Sequence, residues 1–521
     1  LFYIFIIALF DLHYYIASGF PRLFPDSFTY LRLSEEIQKG YFYIEQWGTG
    51  SLSTPLLYPT LLAFSNKIIA DPFIAGAILS FIFSAAIIVI AFILTKNLFG
   101  RFAANIAVIL MIVNPFYLIH SAAVLTESLF TFLLVSSIFL VYKISQNQLK
   151  TLHLLFFATG AVGGMAWHTR DVGIIIIPLS FAWLIYFLRI KKISTPGIIK
   201  YLFVFGMGFL LFFAPFIILS KSNPSLNSYN NTAKRNILKI LAAPNLSDPI
   251  TREIRIRALT DDGLNYSIVA NSQKKISLND FMDQLDWVIK KFILSVGKIF
   301  LYIIAITAGL GLFAIISLIA DLQGWNKTIA LIFLSYILFY LLFYAATGSF
   351  MGPVHPERYL FPIFPLLMIL AADGIKISTK FASEKLKIRQ LRPAVFHFFI
   401  LGAGAILIIL SLIKQNRDYT QKFLQYNDVA STVKLSNEKQ ITIMTRNPFL
   451  PFFAKAAFVL TPLSDYENTV RFAKMKGVDF FFIEKNLYAP QLEFLKKRKT
   501  STPELKYISS SEQGNLYKII Y

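Results

Sequence analysis

Apolar residues recur along this chain in runs too long for the core of a water-soluble domain, and polar residues gather in the links between them. A run of about 18 or more apolar residues can cross a bilayer as a helix. The pattern predicts eleven spans, at about 1–19, 73–95, 101–120, 127–143, 152–168, 172–189, 198–220, 292–320, 328–347, 359–375 and 394–414. Residues 55–70, PLLYPTLLAFSNKIIA, are apolar but short, with Pro55, Pro59 and Lys67 inside. They read as an interfacial or half-inserted helix, with Lys67 snorkelling to the surface. Leu1 opens directly on an apolar run with no Met and no basic leader. No small-residue cleavage site follows, so that run reads as a retained first span and the N-terminus as incomplete.

Past residue 414 the pattern changes. Strand-like runs (QITIMTR, AAFVLT, VDFFFIEK, LYKIIY) alternate with helix-like ones (SDYENTVRFAKMKG, PQLEFLKKRK). Such alternation over about a hundred residues predicts a small α/β domain at 415–521. The predicted fold is an all-α polytopic membrane protein over 1–414, with outer loops at 20–72 and 221–291, followed by that extracytoplasmic α/β domain.

Charge settles the orientation. With the N-terminus inside, the inner loops carry Lys96 and Arg101, Lys143 and Lys150, Arg189, Lys191 and Lys192, Lys327, and a cluster from Lys376 to Arg392. The Lys/Arg excess then lies on the cytoplasmic side, as the positive-inside rule requires. Counting 55–70 as a full span would reverse every loop after it. The formal net charge of +21 therefore reads as basic loops facing anionic lipid. No nucleic-acid motif accompanies it. The chain has no cysteine, which excludes disulfides, thiolate metal sites and cysteine nucleophiles.

This topology brings the unusual ionisable residues to the outer face. Asp26 lies in PDSFTYLRLSEE, just past the first span. His120 and Glu127 flank the turn between the third and fourth spans. His168, Arg170 and Asp171 form the turn WHTRD, and His355, Glu357 and Arg358 the turn GPVHPERYLFP. Ionisable residues at the rim of a helix bundle are functional candidates. Each also has a structural alternative. Asp26 could cap a helix starting at Ser27, and Glu127 could complement a helix dipole. His120 could be an interfacial aromatic, Arg170 could pair with Asp171, and Arg358 with Glu357.

Five segments, in order, resemble the GT-C class of membrane glycosyltransferases, the branch of protein O-mannosyltransferases and lipid A aminoarabinose transferases. PDSFTYLRLSEEIQKGYF resembles the family's first outer loop, in which an acid opens an amphipathic helix. LSTPLLYPTLLAF resembles its proline-rich helix, NPFYLIHSAAVLTESLFTFLL its second outer turn, MAWHTRDVGIIIIPL its Thr-Arg-Pro-acid-Gly turn, and HPERYLFPIFPLLMILAADG its Arg-Tyr-Leu-Pro-Pro span. The resemblance covers about residues 1–375. Thr54-Pro55 replaces the family's Pro-Pro doublet, and Asp171 stands where the fifth-to-sixth turn has proline. Leu52 and Ser53 stand near where the aminoarabinose branch has an acid–lysine pair, which argues against that sugar.

The resemblance implies a GT-C-like arrangement of helices and a polyprenyl-phosphate sugar as donor. A lipid, glycan or protein would be the acceptor, and the plasma membrane the location, with the site on the extracytoplasmic side. A phosphate leaving group needs positive charge where its own charge develops. Arg358, Arg170 and His355 are the candidates for that role. An acceptor hydroxyl needs a base within reach. Asp26 is the candidate, with Glu127 orienting the acceptor or, with Asp26, supplying oxygen ligands to a divalent Mg or Mn ion. His120, His168 and Tyr58 would position acceptor or donor. One base and direct attack imply inversion at the anomeric carbon. The rival classes are a transporter, which would place charges or broken helices at the midplane, and a non-enzymatic membrane scaffold.

Overall fold

The computed structural model describes residues 23–41, 55–146, 151–222, 293–305, 307, 310–323, 327–347, 356–385, 425–434, 441–462, 466–485, 492–497, 499 and 501–521. They divide between two compact units. The first takes in the described residues within Pro55–Leu219 and Phe292–Gln415, and the second those within Leu23–Thr54, Ser220–Lys291 and Asn416–Tyr521.

In chain order, α1 (Pro25–Gln38) belongs to the second unit. The first unit then contains α2 (Leu57–Ile68), α3 (Pro72–Phe99), α4 (Arg101–Ile112), α5 (Pro115–Ser121), α6 (Thr126–Gln146), α7 (Leu152–Trp167), α8 (Ile176–Ile190) and α9 (Thr195–Ser222). It continues with α10 (Ile293–Ala305), α11 (Gly311–Gln323), α12 (Lys327–Thr347) and α13 (Phe364–Lys385). Single 3₁₀ segments, Asp171–Ile175 and Pro356–Ile363, lead into α8 and α13.

Among the described residues, six helical stretches are long and apolar enough to cross a membrane: Pro72–Phe99, Thr126–Gln146, Asp171–Ile190, Thr195–Pro215, Lys327–Ala345 and Arg358–Phe381. Shorter apolar helices occur at Arg101–Ile112, Leu152–Trp167, Ile293–Ala305 and Gly311–Asp321. The expected spans at 1–19 and 394–414, and the outer loop 221–291 from residue 223 on, lie outside the described residues. Residues 57–68 form a helix of 12 residues. At 1.5 Å per residue it is about 18 Å long, short of the ~30 Å hydrocarbon core.

The expected span 101–120 is corrected. It ends as α4 at Ile112, and α5 starts anew after Asn114, whose side chain accepts from the Phe116 amide at 2.9 Å. Pro115 at the first helical position has no amide to leave unpaired. Helix α3 starts in the same way. Asp71 accepts from the amides of Phe73 (2.8 Å) and Ile74 (3.0 Å), with Pro72 next. It ends at Gly100, whose φ of +91° lets the chain turn straight into α4.

Helices α7 and α9 meet through glycine. A Cβ on Gly160 would run into the Phe205 carbonyl, and one on Gly208 into the Phe157 carbonyl. In lipid, packing rather than water expulsion holds helices together, and small residues permit this approach. Gly160→Val is expected to destabilise the first unit by at least about 1–3 kcal/mol, since the obstacle is backbone. Gly206→Ala, which meets open space, is expected to be near neutral. Thermal melts in detergent check the pair.

The second unit contains, besides α1, a helix over 425–434 (α14) and a sheet with its flanking helices. These are β1 (Thr442–Thr445), α15 (Phe449–Ala454), β2 (Ala457–Leu460), α16 (Tyr466–Met475), β3 (Phe480–Glu484), α17 (Glu493–Lys497), β4 (Leu505–Ser510) and β5 (Gly514–Ile519). The strand order is β2-β1-β3-β5-β4. β1 runs parallel to β2 and β3, while β5 runs antiparallel to β3 and β4. Alternate residues point to opposite faces, and both faces carry a core. Met444, Val459, Phe481, Ile483 and Tyr517 fill one, and Ile443, Phe480, Phe482 and Leu516 the other. That explains the unbroken apolar run of β3. β4, an edge strand, was not among the strand-like runs of the sequence.

Candidate active site

In the first unit, three predicted residues from three separate turns meet. Glu127 sits in the first turn of α6 and is 1% exposed. Its Oε1 lies 2.7 Å from Arg170 Nη1 and 3.8 Å from Arg358 Nε. Arg170 thus pairs tightly with Glu127, from a distant helix. The backbone explains the reach. Arg170 is in extended conformation between the end of α7 and the 3₁₀ turn, and Arg358 stands near the start of the 3₁₀ segment before α13. Glu127 itself profits from the amide dipoles at the α6 N-terminus. A carboxylate this buried requires paired charge.

Tyrosines complete the cluster. The guanidinium carbons of Arg358 and Arg170 lie 5.1 and 5.6 Å from the Tyr359 ring centroid, within cation–π range. Tyr344 stacks on Tyr359 at 4.9 Å, and the Tyr340 hydroxyl donates to the Tyr359 carbonyl at 2.7 Å. These contacts from α12 hold the segment that bears Arg358. Sequence reasoning missed Tyr340 and Tyr344. Their only signal is a spacing of four on one face of an apolar helix.

A layer of hydroxyls fixes the start of α6. Ser128 donates to the His120 carbonyl at 2.9 Å, and Ser80 to the Ala123 carbonyl at 2.6 Å. Tyr117 donates to the Ser84 carbonyl at 2.7 Å, and Ser84 and Ser128 lie 3.2 Å apart. His120 is buried in this layer. Its Nδ1 is 2.9 Å from the Phe116 carbonyl, and its ring stacks on Phe361 at 5.2 Å. Tyr58 is fully buried, its hydroxyl 3.3 Å from Ser80. His168 is buried at the C-cap of α7, and its carbonyl accepts from the Leu57 amide at 3.0 Å, tying that turn to the start of α2. His355 and the side chain of Glu357 lie outside the described residues.

Asp26 belongs to the second unit and lies, half-buried, in the first turn of α1. It is not the cap of a helix starting at Ser27. The N-cap is Phe24, and the Ser27 hydroxyl accepts from the Phe24 amide at 2.9 Å. The divalent-ion role fits Glu127 poorly, because its Oε1 already faces two guanidiniums that would repel a dication. Among the described residues no group of three His, Asp or Glu side chains converges to hold a metal.

Residues 53–219 match the model of the dolichyl-phosphate-mannose-protein mannosyltransferase family, over about a third of the chain. The match includes Glu127 and Arg170. No curated protein matches the chain in sequence. Among solved structures the fold is similar to ArnT from Cupriavidus metallidurans bound to undecaprenyl phosphate, with a TM-score of 0.57 and 12% identity over 98% of this chain and 97% of that one. It is also similar to the oligosaccharyltransferase AglB from Archaeoglobus fulgidus in complex with an inhibitory peptide and a dolichol-phosphate, with a TM-score of 0.59 and 10% identity over 93% of this chain and 69% of that one. The chain is a multi-pass membrane protein with the GT-C glycosyltransferase fold.

Proposed function

We propose that this protein is a membrane glycosyltransferase that moves a sugar from a polyprenyl-phosphate donor to a hydroxyl of a lipid, glycan or protein acceptor at the extracytoplasmic face of the plasma membrane. The observation that carries this reading is the buried Arg170–Glu127–Arg358 cluster. Within the cluster one carboxylate faces two guanidiniums, an arrangement that favours an anion beside the arginines. A polyprenyl-phosphate sugar is a phosphodiester with one negative charge, so the cluster complements it.

The chemistry then needs few parts. The acceptor oxygen attacks the anomeric carbon as the bond from that carbon to the phosphate oxygen breaks. Polyprenyl phosphate departs with the electron pair, and Arg358 and Arg170 stabilise the charge that grows on it. Asp26 takes the acceptor proton as general base. A single displacement inverts the anomeric carbon. Glu127 holds both arginines in place, so they need no reorganisation as the charge develops. No step is assigned to a metal. His120, His168 and Tyr58 position donor or acceptor by fixing the ends of α2, α6 and α7.

Arg358→Ala tests the phosphate role. A hydrogen bond between charged groups is worth about 1.5–3 kcal/mol, so affinity for a short-chain polyprenyl phosphate is expected to fall about 10- to 100-fold. Titration calorimetry in nanodiscs measures it, and unchanged affinity removes Arg358 from the phosphate site.

A further inference from the structure

The helix that carries Asp26 is gripped by α15, a helix that flanks the sheet of the second unit. Phe28 is fully buried, and three phenylalanines of α15 close around it edge-on. Its ring centroid lies 4.8 Å from Phe449, 4.9 Å from Phe452 and 5.8 Å from Phe453. Edge-to-face contacts of this kind are directional as well as apolar. Each helical residue turns the chain by about 100°. Asp26 therefore leaves α1 about 200° away from Phe28, and drawing Phe28 into the α15 cluster sends the carboxylate to the opposite side.

Helix α15 cannot hold itself, since its 6 residues are far below the length at which a helix is stable alone. Its start is pinned by Glu484. This buried residue ends β3 and accepts from the Thr445 hydroxyl, the Arg446 amide at 3.0 Å and the Asn447 amide at 2.8 Å. Pro448, the N-cap of α15, follows directly. Behind the cluster, Tyr426 of α14 packs on Phe449 at 5.2 Å and on Phe482 of β3 at 5.9 Å. Lys455, at a φ of +55°, turns the chain sharply back toward β2.

We infer that Glu484 and the Phe449–Phe452–Phe453 cluster form a clasp that positions Asp26 for proton transfer, which makes the C-terminal sheet a positioning part of the transferase. The inference rests on Asp26 being the base. Glu484, Phe28 and the α15 phenylalanines are positioning residues, because they touch neither donor nor acceptor in this account. Displacing a reacting group by about 1 Å can cost about 100-fold in rate.

The test uses the full chain in nanodiscs. Glu484→Ala and Phe452→Ala are expected to lower kcat 10- to 100-fold while donor KM stays within twofold. Amide exchange over 25–38 is expected to accelerate while β1, β3 and β5 remain protected. Glu484→Gln is expected to restore both readouts, since its Oε1 can accept from the same amides. A neutral isostere suits the site, because burial pushes the Glu484 carboxyl up against the opposing pull of its hydrogen bonds. Combined with Asp26→Asn, Phe452→Ala is expected to add no further loss.

Unchanged exchange over 25–38 in Phe452→Ala overturns the clasp. A loosened helix with unimpaired kcat, or an additive loss in the double variant, overturns the positioning role. If Glu484→Ala unfolds the sheet, Phe452→Ala and Phe453→Ala carry the test, as both leave β3 intact. Undiminished transfer by Asp26→Asn overturns the base assignment and the positioning role with it. Unchanged exchange alongside an impaired Asp26→Asn overturns the clasp alone.

Discussion

Asp26→Asn is expected to slow sugar transfer by about 10²–10⁴-fold, the range that a general base contributes, with donor affinity retained. Asparagine has the same shape but cannot take a proton from the acceptor hydroxyl. The helix cap survives the substitution, because Asp26 is not the N-cap. Its interaction with the α1 dipole accounts for no more than about 0.3–1 kcal/mol. Ser27, which satisfies the Phe24 amide, is untouched. Initial rates with labelled donor at saturating acceptor measure the effect. A folded variant that transfers at the wild-type rate removes Asp26 from the mechanism.

Glu127→Ala is expected to destabilise the first unit by about 3–5 kcal/mol, the cost of leaving a buried charge without its partner. Two guanidiniums would face each other where one carboxylate oxygen now lies 2.7 Å from Arg170 and 3.8 Å from Arg358. Activity should be lost as well, because the arginines would no longer be held. The combination Glu127→Ala/Arg170→Ala is expected to regain much of the stability, since it removes one of the two guanidiniums that Glu127 separates, and none of the activity. Residues sharing one network should be this far from additive. Melting temperatures of the single and double variants decide it. A Glu127→Ala protein that melts with the wild type would mean the cluster is not a tightly packed charge network.

Hydropathy carried the membrane class, because a span is defined by length and composition. It could not see that 101–120 is interrupted. Asn114 and Pro115 add little polarity to the window, yet a capping side chain and a missing amide are enough to start a new helix. In the second unit, β3 was plain from its run of Phe and Ile. β4 was not, because Lys506, Ser509 and Ser510 dilute an edge strand that is only partly buried. At the site, the turns bearing Glu127, Arg170 and Arg358 could be placed at one depth from sequence. Which residues pair could not, since a local Arg170–Asp171 pair satisfies the same charges. The geometry shows the Glu127–Arg170 pair and adds Tyr340 and Tyr344, which periodicity cannot separate from lipid-facing aromatics. For Asp26 the missing information was Phe28. A phenylalanine in an amphipathic helix announces burial but not the α15 cluster that buries it.

The central claim is that sugar leaves a phosphodiester donor at the arginine cluster. The most direct measurement supplies the purified chain in nanodiscs with short-chain polyprenyl-phosphate sugar and, separately, polyprenyl-diphosphate sugar, and follows release of the polyprenyl product by phosphorus NMR. The account predicts release of polyprenyl monophosphate from the first donor, dependent on acceptor and lost in Arg358→Ala. Consumption of the diphosphate donor alone, or release from the first donor that is indifferent to Arg358, would contradict it.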